Sequence, residues 1–349
     1  DCGFNASIIN PIITHSTKNG NIRKVKNDKI DSKGIAKLGL SKDIPVSQFP
    51  AKLVLELRSL TRKYYDLTDE RSAHINKLKG DLHTVFPQYL DVFCDVTGKT
   101  STMILRQYGT PDKILRGHKK TMIEKISKAS RKGLAKASER YEKLCAAANA
   151  AKTFGCQIDS IYFNIFLTLD LVEKLDSALD SILNRIRQLI TFNKNEKFIQ
   201  QIKLLNTIPG VGFLTAVTIM CEIGDFSAFR NPKQLFAYFG LDPEVNESGK
   251  FVGTQLHMSK RGSRIARRAI FAVALASIRT KRNGEGINPY LRKYYELKSG
   301  QKPKMVAIGA VMHKVCNIVF AVLRDEKAFE LRSPEEHCKQ YQRPALAAA

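Results

Sequence analysis

From Ile165 to Leu189 the apolar residues of this chain return every three or four positions, at Ile165, Leu169, Val172, Leu175, Leu179, Ile182, Ile186 and Leu189. That spacing is the single apolar seam of a helix, and an exposed seam of that length demands a partner. If residues 158–191 form one helix, it is roughly 50 Å long at ~1.5 Å per residue, enough to separate two modules or to pair with a second chain. We expect a coiled coil that joins copies of the chain into a dimer or tetramer. A helix packed within its own chain is the alternative. Leu53, Leu57, Leu60, Tyr64, Leu67, Ile75, Leu78, Leu82 and Val85 repeat the pattern and stop at Pro87, which predicts a second long helix or helix pair over 53–86.

At 349 residues the chain has room for two or three units, and with 43% apolar residues it can bury a core, which excludes wholesale disorder. Lys and Arg number 57 against 33 Asp and Glu, a net charge of +24. Such a surplus makes a polyanion the default partner, because cations that neutralise phosphates release condensed counterions. The charge is uneven. Residues 1–150 hold 28 basic and 15 acidic side chains, 151–203 hold 7 and 6, and 204–349 hold 22 and 12, so a near-neutral middle joins two basic ends.

No stretch reaches the roughly 18 to 20 uninterrupted apolar residues that span a bilayer, and the first residues carry no signal pattern. We therefore expect no membrane partner, and a soluble cytoplasmic protein working at the nucleoid. The seven cysteines show no metal or redox spacing and read as reduced, mostly buried thiols. The chain begins at Asp1, and its end, Leu346-Ala347-Ala348-Ala349, resembles a vector scar.

Three stretches could carry chemistry. Ile8–Ile13 reads as the end of a buried strand, with a basic loop over Lys18–Lys26 and a helix starting near Asn27 or Asp28. Asp28 and Asp31, three apart at that start, lie on one face and could share magnesium, which takes one or two carboxylates plus substrate phosphates. Carboxylates in a first turn also simply complement the helix dipole. Asn206–Ala216 holds a tight turn at Gly210 and Gly212 between apolar helical patterns, resembling a helix-hairpin-helix whose amides approach a phosphate; an ordinary helix connection is the alternative. Lys250–Lys304 carries 14 basic residues against two acids. Within it Ser263 caps a helix whose Arg264, Arg267 and Arg268 face away from Ala266, Ala269, Ile270 and Val273. Lys250, Lys260, Arg261, Lys302 and Lys304 complete the candidate nucleic-acid contacts. Asn246–Lys250 is a turn exposing Ser248, which on local chemistry is a turn residue before it is a nucleophile. The basic run Lys119–Lys143 reads as a solvated helix, either lying along a phosphate backbone or merely on the surface.

Taken in order, these segments resemble the DEDD transposases of the insertion-sequence one-ten group, which includes the Piv-type invertases. The likeness rests on Asn10-Pro11, KNDKIDSKGIAK (26–37), LLNTIPGVGFLTAVTIMCEIGD (204–225), FRNPKQLFAYFGLDP (229–243), ESGKFVG (247–253), MSKRGSRIARRAI (258–270) and GQKPKMVAIGAVMHKV (300–315). Ala266 stands where the group usually has Leu. The resemblance implies a mainly α chain with a partial α/β domain: an incomplete RuvC-like, ribonuclease H-type remainder over 1–60 and a helical, coiled-coil connector over 61–203. A helical C-terminal transposase domain with the hairpin element follows over 204–330, then a tail over 331–349, part of it vector-derived.

By the same resemblance Asp28 and Asp31 are the last two of four metal-binding acids for Mg2+ or Mn2+, and Ser248 is the nucleophile that becomes linked to DNA. The partners it implies are double-stranded DNA, as element ends and target, and a structured guide RNA. The group's first Asp and its Glu precede the Asn-Pro signature and so fall before Asp1, which leads us to expect an N-terminally truncated chain. The function expected is a DNA transposase or site-specific recombinase. Its rivals are a catalytically inactive nucleic-acid binder and a metal-dependent junction nuclease that needs the carboxylates but not the serine.

Overall fold

Two 34-residue helices, α2 (Lys52–Val85) and α8 (Asp159–Phe192), organise the molecule. They are set out in a computed structural model that describes residues 28–40, 50–193, 197–244, 247–248, 251–252 and 257–336. Each is close to 50 Å long at ~1.5 Å per residue, and they pack against each other along much of that length. They run antiparallel: Leu57 shares a core with Ile186 and Ile190, while Leu78 and Leu82 share another with Ile165 and Leu169. Midway, Arg71 of α2 forms a bidentate ion pair with Asp176 of α8. The seam read from sequence is real, with Ile165, Leu169, Val172, Leu179 and Ile186 buried. It is covered by α2 of the same chain, the alternative to pairing between chains.

The first core lies where α2 ends and α8 begins. There α3 (Tyr89–Val92), α4 (Lys99–Gln107), α5 (Pro111–Arg116), α6 (Lys119–Ser130) and α7 (Leu134–Phe154) wrap Phe86, Tyr89, Ile104, Met122, Ile126 and Leu144. Arg106 of α4 ties this unit to α8 through Asp170 (2.6 Å) and Glu173 (2.9 Å). The run Lys119–Lys143 is not one solvated helix. Arg131 adopts a left-handed conformation (φ 52°) that ends α6, α7 starts after Gly133, and Met122, Ile126 and Ala137 are buried.

The second core, at the opposite end of the pair, gathers α9 (Lys197–Leu205), α10 (Phe213–Ile223), α11 (Pro232–Tyr238), α12 (Arg264–Ser277), α13 (Pro289–Ser299) and α14 (Lys304–Asp325). Side-chain caps start three of them: Asn231 accepts from Gln234 N, Ser263 from Ala266 N, and Asn288 from Leu291 N. α14 is long and apolar enough to cross a membrane by length and composition, although His313, Lys314 and Asn317 interrupt its apolar run. Here it is the central core helix, with Ala307, Val311, Val315, Val319 and Leu323 among its buried residues.

The chain is mainly α. Of the 1–60 segment, α1 (Asp28–Leu40) and the start of α2 are described; Ile8–Ile13, Asn10-Pro11 and Lys18–Lys26 lie outside the described residues. The 60/61 boundary falls inside the continuous α2. The cysteines also depart from expectation: Cys221 and Cys316 are buried, but Cys94 and Cys156 are exposed. Cys94 follows the short α3 and Cys156 lies in the link to α8, outside the seams that make burial predictable from period.

Candidate functional site

The arm that bears Ser248 is described at its base, where residues 242–244 meet 257–259, and at its two short strands. Glu244 N donates to His257 O (2.7 Å), Ser259 N to Asp242 O (2.8 Å), and the Ser259 hydroxyl to Asp242 Oδ1 (2.6 Å). Farther out, β1 (Glu247–Ser248) pairs antiparallel with β2 (Phe251–Val252), Ser248 opposite Phe251. Ser248 thus closes a two-residue strand rather than sitting inside a turn; Lys250 lies outside the described residues. Below the arm, Lys260 N donates to Gly240 O (3.0 Å). A Cβ on Gly262 would overlap the carbonyl oxygen of Tyr238, so only glycine lets the two backbones approach this closely. The next residue, Ser263, caps α12. The serine arm and the basic start of α12 therefore share one anchor.

The five cations at that start differ in what they do. Lys260 and Arg261 are exposed. Arg267 is spent on structure, Nη1 donating to Phe239 O (3.1 Å) and Gly262 O (2.8 Å), and burial lowers its pKa. Arg264 and Arg268 both reach Asp69 of α2, at 3.3 Å and 2.7 Å, and the Arg268 guanidinium lies 4.8 Å from the centre of the Tyr65 ring. Sequence reasoning missed Tyr65 and Asp69, because a carboxylate 195 residues from its arginine leaves no local signal.

Beneath them is a second contact the sequence did not reveal. Arg62 grips Glu222 with both carboxylate oxygens engaged (2.8 and 2.9 Å), Arg58 Nε donates to Cys221 O (2.7 Å), and the Tyr238 hydroxyl to Glu222 O (3.0 Å). Burial pushes the Glu222 carboxyl up, but hydrogen bonds from Arg62 and Ser263, with the Arg62 and Arg58 charges, outweigh it and hold the pKa below the usual glutamate value. One buried carboxylate thus locks α2, α10 and the cap of α12 together. The neighbouring Cys221 thiol is pushed up to about 12 by burial, so it is inert.

The other candidates stand apart from this cluster. Gly210 has φ 95°, and a Cβ there would come within 2.7 Å of Ser277 Oγ; Ser277 in turn donates to Pro209 O (3.0 Å). The 207–210 turn therefore packs on the far end of α12, roughly 20 Å from its basic start at ~1.5 Å per residue. Gly212 is exposed at the N-terminus of α10 with open space around it. Thr207 Oγ1 accepts from Phe329 N just beyond α14 (2.8 Å), so α12 and α14 both finish at this turn. Their basic starts lie away from it, Lys302 and Lys304 being exposed where α14 begins.

Asp28 and Asp31 open α1 one helical turn apart. Among the described residues no group of three or more metal-ligating side chains gathers.

The matched family segments coincide with these elements. A family model described as Transposase IS116/IS110/IS902 family matches residues 202–296, from the end of α9 through the serine arm and α12 into α13, and the IS110 DEDD transposase model matches residues 1–87. The chain belongs to the IS110 family of DEDD transposases. Relatives include the Streptomyces coelicolor insertion element IS110 uncharacterized 43.6 kDa protein, 23% identical over 81% of this chain and 66% of the relative. The pilin gene-inverting protein of Moraxella bovis is 30% identical over 50% of this chain and 52% of the relative, and the transposase for insertion sequence element IS1111A of Coxiella burnetii is 26% identical over 52% and 50%. This IS110-family chain thus spans just under two thirds of the first relative and about half of the other two.

Proposed function

We propose that this IS110-family chain cuts and rejoins double-stranded DNA as a transposase or site-specific recombinase, with Ser248 as nucleophile. The observation that carries the reading is the common anchor of the serine arm and the basic start of α12: phosphates gripped by Lys260, Arg261, Arg264 and Arg268 lie at the foot of the arm that bears Ser248. In the cutting step the Ser248 Oγ–P bond forms as the bond from phosphorus to one sugar oxygen breaks. The serine proton passes to a base and the departing sugar oxygen takes one up, leaving the strand end as a phosphoserine ester. A sugar hydroxyl of the exchanging strand reverses the step, so the phosphate ester bond is conserved and no external energy source is needed. Mg2+ or Mn2+ held by Asp28 and Asp31 would supply Lewis-acid activation of a phosphate oxygen.

The partners proposed are element-end and target DNA and, from the family likeness, a structured guide RNA, met in the cytoplasm at the nucleoid. Assembly into a dimer or tetramer would use the outer face of α8, where Phe163, Leu167 and Leu171 are exposed at helical spacing. The test is covalent trapping with element-end DNA, flanking RNA and magnesium. Wild type should yield adducts that survive denaturant, while Ser248→Ala should bind the same DNA with unchanged affinity and yield none. Adducts from Ser248→Ala would remove the serine from its role. Cleavage without any adduct from wild type would favour a junction nuclease, and binding without either would favour an inactive binder.

A further inference from the structure

The unit built on the first core lies largely between the two matched family segments, and the function above gives it no task. Its α6–α7 hairpin carries a concentrated charge: from His118 to Lys143 there are nine Lys and Arg against three Glu. Four of these cations are already engaged. Lys119 lies 3.8 Å from Glu142 and Lys143 lies 2.8 Å from Glu139, while Lys125 and Arg140 sit over the rings of Tyr108 and Phe93. Lys120, Lys128, Arg131, Lys132 and Lys136 are exposed, with no carboxylate in ion-pair reach among the described residues. Four of the five crowd into the turn joining the helices.

That turn is built rather than loose. The Ser127 hydroxyl donates to Lys132 O (2.8 Å) and Lys132 N donates to Ser130 Oγ (3.3 Å). Arg131 occupies a left-handed position that glycine would fill at lower cost, while Gly133 two residues on has open space around it. The fold thus brings four like charges to one turn, with only the Glu139 carboxylate acting on one of them, Lys136, among the described residues, so a bound polyanion would relieve their repulsion.

We propose that the α6–α7 turn is a second nucleic-acid contact of this chain, seating the phosphate backbone of duplex DNA through Lys128, Arg131, Lys132 and Lys136. Duplex is favoured over single strands because single-strand grooves need open aromatic faces for base stacking. Here Tyr108, Tyr141 and Phe93 each have a cation over the ring. The exposed ring of α7, Phe154, is at the opposite end of that helix, roughly 30 Å away at ~1.5 Å per residue. The contact is independent of sequence, as phosphate contacts are. It rests on the DNA-acting reading only for its choice of polyanion.

The test uses the full chain, a duplex of about 40 base pairs of arbitrary sequence and a salt titration. Lys128, Arg131, Lys132 and Lys136 are all changed to Gln, and Arg264→Gln/Arg268→Gln is measured in parallel. The four-residue variant should bind duplex at least tenfold more weakly near physiological salt, and its log–log salt slope should fall by about 3 to 4, at ~0.9 per phosphate contact. Single-stranded DNA and RNA should lose less than duplex. In wild-type protein, duplex should shield Lys128, Lys132 and Lys136 from acetylation, a readout that stands even if the variant misfolds. Duplex affinity within twofold of wild type, equal acetylation with and without duplex, or a larger loss for single strands overturns the proposal. If the turn variant binds as wild type while the α12 variant is weakened, the DNA-acting reading survives alone; if wild type binds no duplex, both fall.

Discussion

Glu222 is the residue on which the candidate site leans hardest, since its carboxylate joins Arg62 of α2 and the cap of α12 while its backbone carbonyl accepts from the Tyr238 hydroxyl. Its pKa is held below the value of an unfolded glutamate, so its contribution to stability is fully present above about pH 4.5 and is lost as pH falls through the folded value. Thermal unfolding of wild type should therefore shift downward as pH drops from about 5 to 3. Glu222→Gln should flatten that acid limb and cost roughly 2 kcal/mol at neutral pH, because charge-assisted hydrogen bonds to Arg62 are weakened. Equal acid sensitivity in the two proteins would show that other carboxylates govern it.

At the scale of elements, α12 presents arginines that α2 already holds. Asp69 lies between Arg264 and Arg268, so under the proposed function a DNA phosphate would have to displace it or share the pair. Asp69→Asn should raise duplex affinity several-fold at low salt and change stability by less than about 1 kcal/mol, as expected for an exposed ion pair. Weaker binding would mean instead that Asp69 orients the guanidinium groups for DNA. The outward set of Arg264, Arg267 and Arg268 and the Ser263 cap were legible from apolar spacing, as were the lengths of α2 and α8. What covers those faces was not, because periodicity identifies a buried stripe and not its occupant. Arg71 meets Asp176 across 105 residues, and Arg264 meets Asp69 across 195. The break at Arg131 was hidden for a different reason, since an arginine in the left-handed region gives no compositional warning. Arg267 was legible as basic, but not as a ligand of the Phe239 and Gly262 carbonyls. A two-residue strand such as that of Ser248 is too short to show alternation.

Across the whole molecule the two cores are threaded on the same pair of helices but share few other contacts. Leu82 is buried in the first core only, so Leu82→Ala should destabilise that core by about 2–5 kcal/mol. Hydrogen exchange should then quicken over α3–α7 while α10, α12 and α14 keep their protection. Uniform quickening would reveal one cooperative unit instead. The charge segments read from sequence correspond only in part to this arrangement. The basic residues of 99–143 belong to the unit around the first core and those of 260–304 to the unit around the second, whereas the near-neutral stretch supplies all of α8.

That threading also fixes an order of birth. The first core draws on residues 78–169 and is complete before any part of α9 has been synthesised, whereas the second needs Leu57 of α2 together with Leu323 of α14. At ~5–20 residues per second the ribosome takes roughly 15 to 50 s to travel between those two leucines. Once Phe192 has been made, and for the roughly 7 to 26 s in which residues 193–323 follow at that rate, the early half of α2 and the late half of α8 stand half-covered, so the second core is assembled onto a template that the nascent chain has already built.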